Sequence, residues 1–260
     1  MKKIVAKKSL GQNFLNNQKI LDRIIEVGNI NQSDNILEIG PGTGNLTEKL
    51  LNTKANIIAV EKDQRLKPIL IDRFNQYSNF KLIIGDIKTY YQVFLKENNT
   101  DFKIIANIPY YLSSFLFRLF FENNPKPQIV VLMIQKELAE RISDKTKQNN
   151  KLKMFLNLFF DVKYVATVTK GNFYPVPKVD SAIVSLKYNQ KVYSIEFIHK
   201  FEKIINAGFR QPRKMLISNL KSYYKKDIIY QDILKQLNIS LKARPEELDF
   251  QTWIKLIDLI

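Results

Sequence analysis

Cysteine is absent from the 260 residues, and histidine occurs once, as His199. A thiolate nucleophile, a disulfide framework and a Cys/His zinc site are thereby excluded, and no metal is expected. No apolar run reaches the ~20 residues that span a bilayer, so no membrane segment is expected. The N-terminus, Met1-Lys2-Lys3-Ile4-Val5-Ala6-Lys7-Lys8, is basic. It has neither the apolar stretch of a secretory signal nor the length of an organelle transit peptide. The expectation is a soluble cytoplasmic protein. Acidic residues are scarce as well: 41 Lys and Arg stand against 25 Asp and Glu, a net charge of +16. Such a surplus favours a polyanionic partner, nucleic acid or an acidic membrane face, although AT-rich coding bias also inflates Lys, Asn and Ile. What the chain does have is 45% hydrophobic residues, enough for a packed core, which excludes disorder.

Between about residues 35 and 188 short apolar runs alternate with helical stretches. Asn35–Ile39, Asn56–Val60, Leu82–Ile84, Lys103–Ala106 and Ile129–Met133 read as strands, with a helix starting near Asn45. These runs lack polar alternation, as expected of parallel strands covered on both faces. The fold class is α/β, a doubly wound sheet. Lys163–Val168 and Ala182–Leu186 flank a proline-rich loop too short for a crossover helix, so they are expected to run antiparallel. Past Tyr188 the strand signals stop. Ser194–Ala207, Pro212–Tyr224 and Asp249–Leu259 read as helices, Gly208 stopping the first. The predicted division is a domain over 1–189 and a small helical domain over 190–260.

Glu38-Ile39-Gly40-Pro41-Gly42-Thr43-Gly44 follows the first strand and opens a helix. Glycines let the backbone approach a ligand, and the helix start supplies free N–H groups. The spacing G-x-G-x-G is not the dinucleotide fingerprint G-x-G-x-x-G: Asn45 stands where its third glycine belongs, and Pro41 has no N–H for a pyrophosphate. A nicotinamide oxidoreductase is thereby disfavoured, while a nucleotide or S-adenosylmethionine fits. About twenty residues on, Glu61 ends the second strand and can accept both hydroxyls of a ribose. Asp86 follows the third strand and is placed to accept from an adenine amino group. Either acid alone could be an ordinary solvated strand end. Together they converge on the crevice where such sheets bind ligands, and they suit a cofactor that is cationic at sulfur.

The fourth strand ends in Asn107-Ile108-Pro109-Tyr110. An adenine amino nitrogen is a poor nucleophile because its lone pair is delocalised into the ring. An Asn side-chain oxygen and a backbone carbonyl accepting its two N–H groups would draw it toward tetrahedral geometry. Pro109 fixes its own φ and restricts Ile108 to extended conformations, which holds that carbonyl in place. Tyr110 offers a flat face to the base, worth ~1–3 kcal/mol by stacking. No general base is needed, because the proton becomes acidic only after the methyl has moved. The tetrapeptide alone leaves DNA and RNA adenines open, but a DNA enzyme would add a larger target-recognition domain than this chain has room for.

With these residues in view the sequence resembles, over essentially its whole length, the bacterial S-adenosylmethionine-dependent rRNA adenine N6,N6-dimethyltransferases, specifically the small-subunit (16S) branch. Leu10-Gly11-Gln12-Asn13-Phe14-Leu15 resembles the family's N-terminal signature, which implies that Asn13 and Leu15 line the cofactor. Gly40, Glu61, Asp86 and Asn107 match its cofactor motifs, and Asn107, Pro109 and Tyr110 its catalytic loop. Phe173-Tyr174-Pro175-Val176-Pro177-Lys178-Val179-Asp180-Ser181 resembles the loop whose Phe stacks on the flipped adenine, which pairs Phe173 with Tyr110. Gln135-Lys136-Glu137 with Ala139-Glu140-Arg141, and Arg244-Pro245-Glu246-Glu247-Leu248, resemble the small-subunit branch. The branch that methylates large-subunit rRNA and confers macrolide resistance usually lacks both.

The resemblance implies a class I methyltransferase (Rossmann-like) sheet with an antiparallel last strand and a helical C-terminal domain. It implies dimethylation of two adjacent adenines near the 3′ end of small-subunit rRNA, in an immature small subunit, by a monomer. The alternatives are a large-subunit rRNA adenine methyltransferase and a non-catalytic RNA-binding assembly factor on the same scaffold. The chain departs from the family at Tyr111, where Asn is usual, and at Asn150–Phe155, where Lys-x-Tyr-Gly-x-Leu is usual. Lys7, Lys8, Arg210, Arg213 and Lys214 are candidates for phosphate contacts. If about five phosphates are engaged, log affinity should fall with log salt at a slope of roughly −3.5. His199 is expected to be structural or exposed, and Trp253 to pack within its helix.

Overall fold

The computed structural model describes residues 5–98, 101–223 and 230–260. The first four residues of the basic arm and Tyr224 of the expected second C-terminal helix lie outside them. Contacts divide the chain into two units, Met1–Ala139 with Asp161–Tyr188, and Glu140–Phe160 with Asn189–Ile260.

The first unit begins with a short strand β1 (Phe14–Leu15) and helix α1 (Gln18–Gly28). Asn17 caps α1 by accepting from the amides of Lys19 and Ile20, and Asn29 closes it in the left-handed conformation. Strands and helices then alternate: β2 (Asn35–Ile39), α2 (Asn45–Asn52), β3 (Asn56–Glu61), α3 (Lys67–Phe74), β4 (Phe80–Ile84), α4 (Ile87–Glu97), β5 (Lys103–Asn107), α5 (Ser113–Glu122) and β6 (Ile129–Gln135). Helix α6 (Lys136–Ile142) and α7 (Lys151–Phe159) follow, then β7 (Phe160–Val168), β8 (Phe173–Tyr174) and β9 (Ser181–Tyr188).

Seven strands form one sheet in the order β4-β3-β2-β5-β6-β9-β7. β2, β3, β4, β5 and β6 are parallel, in registers such as Ile36 to Ile57 and Ile104 to Val130. β9 runs antiparallel to β6, Val131 facing Ser185. The apolar runs are buried on both faces. Ile36, Ile57, Ile105, Val131 and Ile183 join a core with α1 and α2 on one side, while Leu37, Ala59, Ile104, Leu132 and Val184 are equally buried. The chain proceeds to one side of β2 through β3 and β4 and to the other through β5 and β6. The crevice at the carboxyl ends of β2 and β5 is therefore a topological switch point.

The second unit is helical. It holds α7 and then α8 (Ile195–Gly208), α9 (Leu216–Tyr223), α10 (Tyr230–Gln236) and α11 (Phe250–Leu259). Its boundary after Tyr188 lies next to the expected one at 189/190, but residues 140–160 belong to it too. The reason is packing: α7 buries Met154, Leu156, Leu158 and Phe159, and Phe155 meets Phe201 of α8 edge-on at 5.8 Å. α9 starts at Leu216, later than the expected Pro212. The Asn219 amide donates to the carbonyls of Gly208 and Gln211, which holds residues 211–215 in a turn ahead of the helix.

Trp253 is fully buried, stacks on Phe209 at 5.4 Å and donates its indole N–H to the Pro245 carbonyl at 3.3 Å. A Cβ at Gly208 would stand 2.3 Å from the Trp253 ring, so the glycine there serves close approach as well as helix ending. The Arg244–Leu248 segment that resembles the small-subunit branch is thus a packing corner of this unit, and it also bonds Asn149 through the Glu246 and Leu248 carbonyls. Trp253→Ala should cost ~3–5 kcal/mol of stability. Trp253→Phe should cost less, and urea unfolding of the two variants checks the order.

Candidate active site and cofactor cleft

Four of the five parallel strands each deliver a functional group to the same edge of the sheet. β2 runs into the glycine loop, β3 ends in Glu61, β4 is followed by Asp86, and β5 ends in Asn107. Gly40, Gly42 and Gly44 all have positive φ, between 61° and 88°, which a side chain would strain. The nearest atom to a Cβ at Gly40 would be Pro109 Cδ at 3.9 Å, so open space lies above Gly40, whereas a Cβ at Gly42 would stand 3.1 Å from the Phe14 ring. The Thr43 carbonyl accepts from Arg73, which also bonds Glu48 of α2 at 2.7 Å. Asn45, in place of a third glycine, donates its amide to the Leu15 carbonyl and to Asn16 Oδ1, both at 2.9 Å.

A cleft with about 1010 Å³ of space open to solvent brings every expected site residue together. Asn13 and Leu15 line it from the N-terminal arm, Gly40 from the loop, and Glu61 and Asp86 from the strand ends. Asn107, Pro109, Tyr110 and Phe173 line it as well. β1 pairs with β8 in antiparallel register, Leu15 facing Phe173 and Phe14 facing Tyr174. Phe173 reaches the cleft from a packed position, 5% exposed and part of the core. Tyr110 is half-buried, its hydroxyl 2.8 Å from Ser181 Oγ, and burial raises its pKa against that bond. Tyr111, which also lines the cleft, is 49% exposed.

The acids differ in environment. Glu61 is buried, and its carboxylate accepts from the backbone amides of Asp63 at 2.7 Å and Gly42 at 3.1 Å. Burial pushes its pKa above the ordinary value although those amides favour the charged form. Asp86 caps α4 through the Lys88 amide at 2.9 Å and pairs with Lys62 at 2.8 Å. Burial works to raise its pKa, and the Lys62 ammonium with the Lys88 amide outweighs it, so it stays low and charged. Asn107 donates Nδ2 to the Asn13 carbonyl at 3.3 Å, which leaves Oδ1 as an acceptor.

Glu38, on the α2 face of β2, was legible in the sequence only as the start of the glycine motif. It is buried and accepts from the Thr47 hydroxyl at 2.7 Å. Burial raises its pKa from 4.5 to about 8, Thr47 opposing and Glu61 adding to the rise. Between those values the native state holds a proton that the unfolded chain has lost. Stability should therefore fall as pH rises from about 5 to 8, at up to ~1.4 kcal/mol per pH unit. Glu38→Gln should flatten that slope, which melting across the same pH range would show.

Of the basic residues, Lys7 is exposed in the arm, whereas the Lys8 side chain lies outside what is described. Arg210, Arg213 and Lys214 are exposed on the turn between α8 and α9 of the second unit. His199 is exposed on α8. Asn150, where the chain departs from the usual family pattern, caps α7 by accepting from the Lys153 amide and donates to the Arg141 carbonyl. Among the described residues no helix is long and apolar enough to cross a membrane.

A family model described as ribosomal RNA adenine dimethylase matches residues 4–260. The chain is 38% identical over 256 residues to ribosomal RNA small subunit methyltransferase A of Dehalococcoides mccartyi, covering 96% of this chain and 87% of that protein. A dimethyladenosine transferase from Plasmodium falciparum superposes with a TM-score of 0.77 at 30% identity, over 94% of this chain and 95% of that one. The 23S rRNA methyltransferase ErmE has the same fold, with a TM-score of 0.77 at 23% identity over 95% of this chain and 98% of that one.

Proposed function

The chain belongs to the ribosomal RNA adenine dimethylase family, and from that membership and the geometry of its cleft we propose that it dimethylates N6 of two adjacent adenines near the 3′ end of small-subunit (16S) rRNA. The observation that carries the chemistry is the convergence of Glu61, Asp86 and Asn107 on one cleft, with the Asn107 amide turned by the Asn13 carbonyl. The small-subunit target rests on relatives such as the small subunit methyltransferase A of Dehalococcoides mccartyi, 38% identical over 96% of this chain.

The residues fit S-adenosylmethionine. Space above Gly40 admits it, and buried or half-buried acids in a chain of charge +16 mark the cleft for a cationic group. When bound, S-adenosylmethionine supplies an electrophilic methyl group on a sulfonium. Glu61, steadied by two backbone amides, would accept the ribose hydroxyls, and Asp86 would accept from the adenine amino group. Asn13, Leu15 and Gly40 form the wall along its length.

On the other side Asn107 Oδ1 and the Ile108 carbonyl accept the two N6 hydrogens of the target base, which exposes its lone pair. Pro109, at φ −57°, keeps the turn into Tyr110 rigid. Tyr110 and Phe173 hold the base between them. The N6 proton leaves to solvent once methyl transfer has made the nitrogen a four-bonded cation, so no tuned general base is required. The sheet-bearing unit carries this chemistry, and the exposed Arg210, Arg213 and Lys214 of the helical unit, with Lys7, contact phosphates. The protein acts as a monomer in the cytoplasm, on small subunits still being assembled.

The test is transfer of labelled methyl from S-adenosylmethionine to small-subunit particles and, separately, to large-subunit rRNA, with the products mapped by position. Two adjacent dimethylated adenines in the 3′-terminal region of the small-subunit RNA are expected. Methylation confined to the large-subunit RNA would overturn the assignment.

A further inference from the structure

The N-terminal arm is tied down from behind the cleft: Gln12 is among the lining residues, and Asp63, which holds it, is not. Gln12 donates its side-chain amide to Asp63 Oδ2 at 2.8 Å, while its own Oε1 accepts from the Lys7 amide at 2.7 Å. Asp63 is 4% exposed and holds Arg65 through Oδ1 and Oδ2 at 2.9 and 2.6 Å. Arg65 reaches back to the Val5 carbonyl at 3.3 Å. The Arg65 guanidinium, aided by Gln12, keeps the Asp63 carboxyl down at about 2, so this anchor is charged at any working pH.

From Gln12 the arm continues directly into the site. Asn13 bonds the Gly11 carbonyl through its own side chain at 3.3 Å, and its backbone carbonyl accepts the Asn107 amide at the same distance. A Cβ at Gly11 would lie 3.3 Å from Pro109 Cβ, so the arm also lies closely against the catalytic loop. Asp63 stands two residues beyond Glu61, and its own amide bonds that carboxylate. One residue therefore serves both: its carboxylate holds the arm that orients Asn107, and its backbone amide bonds Glu61.

We propose that Asp63 is a positioning residue for methyl transfer: by holding Gln12 it docks the arm Leu10–Asn13 across the cleft and sets the direction of the Asn107 amide. The inference rests on the reading of Asn107 given above. Asp63 touches neither donor nor target; it acts through Gln12 and Asn13. An Asn at position 63 has one acceptor oxygen where Asp63 uses two, so its N–H meets either the Gln12 N–H or the Arg65 N–H groups whichever way it turns. Gln12 cannot recover by flipping, because Lys7 already occupies its oxygen.

The chemistry offers its own control. Asp63→Asn and Gln12→Glu each disrupt the anchor, one by donor against donor at Gln12 or at Arg65 and the other by carboxylate against carboxylate. The double variant restores it with donor and acceptor exchanged. Tryptic cleavage after Lys7 reports arm docking without any substrate, and kcat reports the positioning. Each single variant should cleave about tenfold faster and lose about 10- to 100-fold in kcat, while the double variant returns both to within about threefold of the parent. Unchanged arm cleavage in the single variants would overturn the proposal, as would a loosened arm with kcat intact or a double variant no better than its parents. A parent protein that methylates neither rRNA would instead sink the functional reading, and arm cleavage would then decide the anchor alone.

Discussion

Asn107→Ala lowers kcat for methyl transfer by about 10²- to 10³-fold, the usual cost of removing one pre-placed hydrogen-bond partner from a reacting group. The side chain ends β5 inside the cleft, and its Nδ2 is committed to the Asn13 carbonyl. Oδ1 is therefore the atom that can accept from the target amino group without first reorganising. Alanine removes this acceptor and leaves the Ile108 carbonyl alone to polarise N6. Glu61 and Asp86 are untouched, so cofactor affinity should change by less than about tenfold, the worth of one bond. Asn107→Asp is the sharper variant: it keeps an acceptor but cannot donate to Asn13, so the carboxylate faces a carbonyl and the arm shifts. Single-turnover transfer to small-subunit particles, beside a calorimetric titration of cofactor, separates the effects. A fully active Asn107→Ala protein would remove the tetrapeptide from the mechanism.

The parts of this site that the sequence displays are those with local or periodic signals. β2 and β6 are legible because burial on both faces makes a strand an unbroken apolar run, and the acids after β3 and β4 are legible because they interrupt such runs. The connection from β7 to β9 is too short for a helix, which predicts an antiparallel pair; the two are neighbours in the sheet, and β9 runs antiparallel to its other neighbour, β6. Contacts between distant residues leave no such trace. Gln12 and Asp63 are 51 positions apart, and each alone looks like an ordinary polar residue. The same holds for Asn45, whose link to Leu15 spans 30 positions. An amphipathic pattern shows that a helix buries one face but not what covers it, so α7 could not be assigned to the helical unit from sequence. The late start of α9 has a similar cause: Pro212 is a good first residue for a helix, and the Asn219 side chain holds a turn there instead.

Glu61→Ala should weaken cofactor binding by about 10²- to 10⁴-fold, since two hydrogen bonds to a charged acceptor are worth roughly 1.5–3 kcal/mol each. The loss extends beyond the ribose. The Gly42 and Asp63 amides would lose their acceptor, and the glycine loop its tie to β3. Glu61→Gln keeps one acceptor and the shape but not the charge, and should fall between. The pH dependence gives an independent check. Burial raises the Glu61 pKa, so the carboxylate that binds is fully present above that raised value and is lost as pH falls through it. Cofactor affinity of the parent should therefore decline on acidification at a pH above the ordinary range for glutamate, and Glu61→Gln should not share that decline. Asp86 is held low by Lys62 and Lys88, so it stays charged throughout and does not blur the transition. Calorimetric titration from pH 5 to pH 8 measures both effects together. Binding by Glu61→Ala within about threefold of the parent would show that the ribose is held elsewhere, because even one lost charged bond costs more than that.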